Sequence, residues 1–124
     1  MSVTVETGRA TWIDLRGASV NDIGRDGCVV VYADWCPHCK DMMPDLVRLQ
    51  EELTELGNPD LPPSRLQCYN LGEHSNYGED ATHKITEKYE PVKGFPSIWF
   101  VQGSIITPYE GPRTYDALRS LVFN

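Results

Sequence analysis

Residues 28–44 of the chain read C-V-V-V-Y-A-D-W-C-P-H-C-K-D-M-M-P, and this stretch decides the fold. Its first six residues, 28–33, form a short, continuously apolar run rich in β-branched side chains, which predicts a central strand buried on both faces. From Cys36 to Leu56 the pattern becomes helical, because leucines repeat at intervals of three and four with charged residues between them: Leu46, Leu49, Leu53 and Leu56. The sequence therefore predicts a strand that leads directly into a long helix, with Cys36 at the junction.

Around this stretch, strands and helices alternate along the chain. Residues 11–15 are a weak predicted first strand, and residues 19–25 a short helix capped by Ser19 and ended by Gly24. The remaining predicted elements are a strand at 66–71, a helix at 81–89, a hairpin of strands 97–102 and 105–109, and a final helix from Thr114. This order predicts one α/β domain with a mixed β-sheet, in which Gly57 ends the long helix.

The composition is that of a soluble globular domain. The 124 residues are 40% hydrophobic and 23% charged. This length is typical of one domain, so we predict a single domain over residues 1–124. Acidic residues outnumber basic ones by 18 to 11, and the net charge of −7 argues against a nucleic acid or an anionic membrane as partner. The first residues contain no recognisable signal peptide, so we expect a cytoplasmic or non-classically located monomer, or else a domain expressed without its leader.

Cys36 and Cys39 are separated by two residues at the start of the predicted helix. Free N–H groups and the helix dipole favour negative charge there, so Cys36 is expected to attack disulfides as a thiolate. Cys39, one turn further in and covered, is expected to resolve the resulting mixed disulfide. Pro37 suits the first helical turn, and a protonated His38 is a positive neighbour that favours the reduced pair and makes it more oxidising.

Other roles for the cysteines stay open at this point. The pair could be half of a zinc site, although the other candidate ligands are scattered along the chain: Cys28, Cys68, His74 and His83. It could also be a structural disulfide, although a bridge across two residues closes too small a loop to stabilise the fold much. Cys28 and Cys68 occur in apolar strands, so we expect them to be buried and inert. No metal and no cofactor is predicted.

A second motif, V-K-G-F-P-S-I-W-F at residues 92–100, has a proline directly before a buried strand. An X–Pro bond at such a position is one where a cis peptide can be fixed. Pro96 has no N–H to donate to a neighbouring strand, which suits the first position of a strand. By itself the motif indicates only that a strand begins there.

Taken together, these residues resemble the thioredoxin superfamily. Residues 29–44 are similar to its active-site strand and helix, including Trp35, Lys40 and Pro44, and residues 92–100 look like its cis-proline segment. Residues 109–114, Y-E-G-P-R-T, are similar to the segment before the last helix in protein disulfide isomerase catalytic domains. The resemblance covers about residues 10–123 and implies a thioredoxin fold, with helices on both faces of a central mixed sheet.

The resemblance also implies roles for individual residues. Pro96 is expected to pack against the cysteine pair and keep metal away. The backbone beside it is expected to bind an extended substrate, with Trp35 and Phe95 as apolar flanks. Arg113 matches an arginine of the isomerase domains that approaches the resolving cysteine and lowers its pKa.

Two departures from the family pattern bear on the chemistry. The residues between the cysteines are Pro-His, as in strongly oxidising bacterial members, where thioredoxins have Gly-Pro and the isomerases Gly-His. Six residues before Cys36, where the family usually has a buried acid that accepts the proton of the resolving thiol, this chain has Val30. Deprotonation of Cys39 then depends on water, Arg113 or another group, and we expect slow release of substrate from the mixed disulfide.

The sequence thus predicts a thiol–disulfide oxidoreductase that forms, isomerises or reduces protein disulfides. Glutathione, a reductase and an oxidase are the candidate electron partners. Two alternatives remain: a cytosolic thioredoxin-like reductase, and a non-enzymatic binding module that responds to redox state.

Overall fold

The computed structural model describes residues 12–56 and 65–123. Strand β1 is Gly27–Tyr32 and leads within five residues to helix α1, Pro37–Leu56, as the sequence predicts. The other elements, in chain order, are β2 (Leu66–Asn70), α2 (Glu79–Lys88), β3 (Ser97–Gln102), β4 (Ile105–Tyr109) and α3 (Tyr115–Val122). The type and order of these elements confirm the prediction from residue 66 onward.

The sheet is mixed, and β1 lies in its interior. The strand order is β2-β1-β3-β4, with β1 parallel to β2 and antiparallel to β3. Val30, in the middle of β1, pairs in register with Cys68 of β2 on one side and Ile98 of β3 on the other. Every residue of β1 is buried, which confirms the prediction of a strand covered on both faces. This rigid strand fixes the point from which residues 33–36 enter α1.

Helices cover both faces of the sheet. The face that carries Val30 packs against α1 and α3, and the face that carries Val31 packs against α2. The buried helical residues are Leu46, Leu49, Leu53, Leu118 and Val122 on the first face and Ile85 on the second. Each buried leucine contributes roughly 1.5–3 kcal/mol by leaving water, so this apolar stripe holds α1 in place. None of the helices in the two described ranges is long and apolar enough to cross a membrane.

The predicted first strand at residues 11–15 is wrong where it can be compared. Residues 12–15 form turns, and Thr11 lies outside the described residues. Leu15 is buried as a strand residue would be, but Ile13 is 72% exposed. Trp12 stacks on His74 with ring centroids 4.5 Å apart. The segment thus contacts a distant loop, and the local sequence pattern contains no sign of this contact. The predicted end of α1 at Gly57 also lies outside the described residues.

The predicted helix at residues 19–25 is shorter than expected and forms a single 3-10 turn, Val20–Asp22. Ser19 caps it as predicted, because its hydroxyl accepts the N–H of Asn21 at 3.1 Å. The Asp22 carboxylate in return accepts the N–H of Ser19 at 3.2 Å. Gly24 follows at a φ of 91°, a left-handed conformation that ends the turn.

Candidate active site

Cys36 is the last residue of the turn that connects β1 to α1. Its N–H donates to the carbonyl of Ala33 at 3.1 Å, and its own carbonyl accepts the N–H of Lys40 at 3.0 Å. The second bond is helical, so Cys36 caps the N-terminus of α1, and Pro37 is the first helical residue. The Cys36 side chain therefore lies at the positive end of a 20-residue helix, which favours an anion there.

Cys39 lies one turn further along α1 and is more deeply buried than Cys36. The two residues are 1% and 5% exposed, respectively. Burial raises the pKa of the Cys39 thiol to about 12, and neighbouring Cys36 adds to this, whereas the Ala33 backbone and the charge of Arg113 pull it down. The structure thus brings Arg113 near enough to act on Cys39, in the direction that the family resemblance implies. In the reduced protein, Cys39 stays protonated at neutral pH.

The segment before β3 closes the site from the other side. The Phe95–Pro96 peptide bond is cis, and Pro96 is buried. The Cys36 thiol donates to the carbonyl oxygen of Phe95 at 3.4 Å. Beside this contact, the rings of Trp35 and Phe95 meet edge to face with centroids 5.9 Å apart. Trp35 is 56% exposed, so an apolar surface open to solvent borders the sulfur.

His38 lies in the first turn of α1 with an exposed side chain, between the two cysteines in sequence. Pro37 beside it is also exposed. Arg113 precedes α3 and lines a groove of about 440 Å³ that has Pro96 in its wall. The structure therefore brings Trp35, the cysteines, Phe95, Pro96 and Arg113 together at one edge of the sheet.

Asp34, which lies two residues before Cys36 and is buried, is a residue of the site that no sequence motif indicated. One carboxylate oxygen accepts the Asn70 amide at 2.9 Å and the His74 N–H at 2.6 Å, and the other accepts the Glu73 N–H at 3.2 Å. Burial raises the pKa of Asp34, but these hydrogen bonds outweigh it and hold the pKa below its ordinary value. Asp34 thus fastens the loop after β2 to the turn that carries Cys36. Its burial could not be read from the chain because all its partners lie beyond residue 69.

The loop approaches this turn so closely that a glycine is required at position 72. A Cβ at Gly72 would lie 2.6 Å from the backbone nitrogen of Asp34, a distance that no side chain tolerates without movement of the backbone. The Gly72 N–H in turn donates to the Asn70 side chain at 2.8 Å. Close backbone contact and the buried carboxylate together hold residues 70–74 against the active-site turn.

Among the described residues, the side chains near enough to share a cation are Asp34, Glu73 and His74, with ligand atoms within 4.8 Å of one another. The oxygens of Asp34 already accept the hydrogen bonds described above, so this cluster is accounted for as a structural contact. Cys36 and Cys39 belong to no such group of three within the described part of the chain. Cys28 and Cys68 are fully buried in β1 and β2, as expected.

Val30, at the position where an acid would be expected, is fully buried among apolar residues of the face that carries α1 and α3. An apolar side chain accepts no proton, so Cys39 has no carboxylate partner at this position.

Sequence comparisons relate the chain to known proteins with thioredoxin domains. The thioredoxin family model matches residues 18–124. A mitochondrial thioredoxin domain-containing protein of Schizosaccharomyces pombe is 32% identical over 100 residues, which cover 76% of this chain and 24% of that protein. A probable protein disulfide-isomerase A6 of Medicago sativa is 30% identical over 105 residues, covering 82% and 25%, respectively. The chain therefore spans about a quarter of the length of these relatives.

Solved structures agree on the fold. The J-Trx1 fragment of ERdj5 superposes with a TM-score of 0.51 at 20% identity, covering 81% of this chain and 42% of that chain. Human ERp44 superposes with a TM-score of 0.55 at 15% identity, covering 88% and 29%. The family model spans nearly all described residues, and the relatives include proteins of the isomerase type. The chain therefore belongs to the thioredoxin family. It is a domain like those of the protein disulfide isomerases, which are thiol–disulfide oxidoreductases.

Proposed function

We propose that this domain exchanges disulfides with protein substrates through Cys36 and Cys39. The observation that carries the proposal is the setting of the Cys36 sulfur. It caps the N-terminus of α1, contacts the Phe95 carbonyl at 3.4 Å, and borders the exposed Trp35 ring. A thiol in that setting lies at the positive end of a helix dipole, beside an apolar surface for a substrate chain and one turn from a second thiol.

In the reducing direction, the Cys36 thiolate attacks one sulfur of a substrate disulfide. The substrate S–S bond breaks, its other sulfur leaves as a thiolate and takes a proton from solvent, and a Cys36–substrate disulfide forms. Cys39 then loses its proton and attacks the Cys36 sulfur, which releases the second substrate thiolate. Two electrons pass from the dithiol to the substrate, and the Cys36–Cys39 disulfide remains. The reverse sequence introduces a disulfide into a reduced substrate.

We further propose that Cys39 limits the rate of the second step. Burial raises its pKa to about 12, and Val30 offers no proton acceptor. Arg113, whose charge lowers the Cys39 pKa, eases this step. Slow resolution gives the mixed disulfide time to rearrange, which suits isomerisation.

Single-cysteine variants test the assignment of the two sulfurs. Cys36→Ser should abolish insulin reduction and reactivation of scrambled ribonuclease, because the attacking sulfur is gone. Cys39→Ser should instead accumulate a covalent protein–substrate disulfide that mass spectrometry detects and dithiothreitol releases. Residual activity of Cys36→Ser above about a tenth of the unmodified protein's would contradict the nucleophile assignment.

The equilibrium reduction potential of the pair tests the direction of exchange. The Pro-His spacer and the helix N-terminus both favour the thiolate, so a titration against glutathione should give about −180 mV, the isomerase range, or a higher value. A value near −270 mV, roughly that of thioredoxins, would instead assign the domain to reduction.

A further inference from the structure

A groove of about 440 Å³ lies beside the cysteine pair, with Pro96 and Arg113 in its wall. It runs between the segment before β3 and the segment that follows β4. Its apolar lining comes from Pro91, Pro96, Ile98, Trp99, Pro108 and Tyr109. If a substrate chain reaches Cys36 past Pro96, residues on one side of its own cysteine come next to this groove.

Three charged side chains line the groove: Lys93, Glu110 and Arg113. All three are exposed, and none forms an ion pair with another residue in ranges 12–56 and 65–123. Two cations and one anion leave the groove with a charge of about +1, whereas the whole chain carries −7. The groove is thus a positively charged site on an acidic protein.

We propose, on the basis of the function proposed above, that this groove selects protein substrates with an acidic side chain near the reactive cysteine. A carboxylate there meets the unpaired Lys93 and Arg113 and is opposed by Glu110 alone. A lysine at the same substrate position is repelled by the net positive charge, and a glutamine is neither attracted nor repelled. The negative potential of the rest of the surface disfavours an acidic chain elsewhere, which confines its binding to this groove.

Two peptides that differ in one residue test the proposal. Each contains one cysteine joined by a disulfide to uncharged pyridine-2-thiol, and carries either glutamate or glutamine two residues before the cysteine. A second pair carries the same two residues two positions after the cysteine. Attack of reduced Cys36 on the peptide sulfur releases thiopyridone, whose absorbance gives a second-order rate constant. We expect the glutamate peptide to react about three- to fivefold faster in at least one direction, equal to roughly 0.6–1 kcal/mol.

The ratio of the two rate constants is the readout because it is insensitive to changes that affect both peptides equally. Lys93→Gln and Arg113→Gln should each lower the ratio, and Glu110→Gln should raise it. Lys84→Gln, an exposed lysine of α2 outside the groove, should leave it unchanged. Raising the salt from about 0.05 M to about 0.5 M should bring the ratio toward one, since screening shortens the reach of exposed charges.

Failure of this inference is distinguishable from failure of the proposed function. If the unmodified protein releases thiopyridone from both peptides no faster than Cys36→Ser, the function is wrong. If both peptides react rapidly but with equal rate constants in both directions, or if the preference survives Lys93→Gln and Arg113→Gln, the groove does not select acidic substrates.

Discussion

Asp34 and Cys36 stand two residues apart and depend on opposite settings. Cys36 lies at the positive end of a helix, whereas Asp34 is an anion enclosed by hydrogen-bond donors. Its side chain is only 3% exposed, so removing an acceptor leaves buried N–H groups without a partner. The Asp34 carboxylate thus stabilises the turn that carries the Cys36 sulfur.

We predict that Asp34→Asn destabilises the protein at neutral pH by about 1–3 kcal/mol. The pKa of Asp34 lies below its ordinary value of 3.8, so its contribution is fully present above about pH 4 and is lost as the pH falls through the folded-state pKa. Urea unfolding of both proteins at neutral pH and near pH 3 measures the difference, which should shrink at the lower pH. Glu73→Gln, which leaves the backbone donor of residue 73 in place, is the control and should cost little at either pH. A penalty for Asp34→Asn that persists unchanged in acid would contradict the account.

His38 supplies the second prediction at this scale. Replacing His38 with glutamine should lower the reduction potential by tens of millivolts, because an imidazole that favours the reduced pair when protonated is lost. Glutathione titration measures the change. His83→Gln removes an imidazole that instead pairs with Glu87 on α2 at 3.0 Å, and should leave the potential unchanged. Equal potentials for His38→Gln and the unmodified protein would show that helix position alone tunes the pair.

At the scale of elements, α1 is held to α3 by one polar cluster as well as by leucines. The two carboxylate oxygens of Glu52 on α1 share the Nε–H of Arg119, at 3.1 and 3.0 Å, and one of them also accepts a terminal N–H of Arg119 at 2.8 Å. The Tyr115 hydroxyl also donates to Glu52, and the Arg48 guanidinium lies 3.7 Å from the centre of the Tyr115 ring. These contacts fix the last helix, and with it the Arg113 segment that precedes it.

We predict that Glu52→Gln lowers the free energy of unfolding by about 1 kcal/mol at neutral pH. Hydrogen bonds from Arg119 and Tyr115 hold the pKa of Glu52 below its ordinary value, so the difference should fade as acid protonates the carboxylate. Denaturant unfolding at two pH values checks this. Glu55→Gln, at an exposed position one turn later on the same helix, should be nearly neutral. Equal losses from both substitutions would mean that helix charge, not the Arg119 contact, is responsible.

Elements with a strong internal pattern were predictable from the sequence, and elements decided by distant partners were not. The β-branched run of β1 and the leucine repeat of α1 each specify one buried surface, so the structure follows the prediction there. Residues 12–15 alternate weakly and form turns, and Trp12 stacks on the distant His74, a contact that the local sequence pattern does not contain. The same limit applies to the site. The spacing of Cys36 and Cys39 indicates the candidate redox pair, but the burial of Asp34 depends on residues 70–74, which only folding brings near.

At the scale of the whole molecule, the four cysteines divide into two environments. Cys36 and Cys39 lie at the edge of the sheet, whereas Cys28 and Cys68 are fully enclosed in β1 and β2. Burial raises the pKa of Cys28 to about 12 and raises that of Cys68 further, with Cys28 adding to the effect. The fold thus separates the Cys36–Cys39 pair from two cysteines that behave as small apolar side chains.

We therefore predict that iodoacetamide modifies the reduced, native protein at a single cysteine first, and that this cysteine is Cys36. Cys39 should follow much more slowly because it is buried and protonated, and Cys28 and Cys68 should react only when the chain unfolds, since no thiolate forms in the enclosed sheet. Peptide mapping after timed labelling gives the four rates, and labelling in guanidinium chloride confirms that all four thiols are intact. Cys36→Ser provides the matched control, in which the fast reaction disappears and the slow ones remain. Prior oxidation of the pair should likewise remove the fast reaction while leaving two thiols that react after denaturation. Rapid native labelling of Cys28 or Cys68 would mean that the sheet opens far more readily than its burial implies, and that the reactivity of this chain is not confined to the Cys36–Cys39 site.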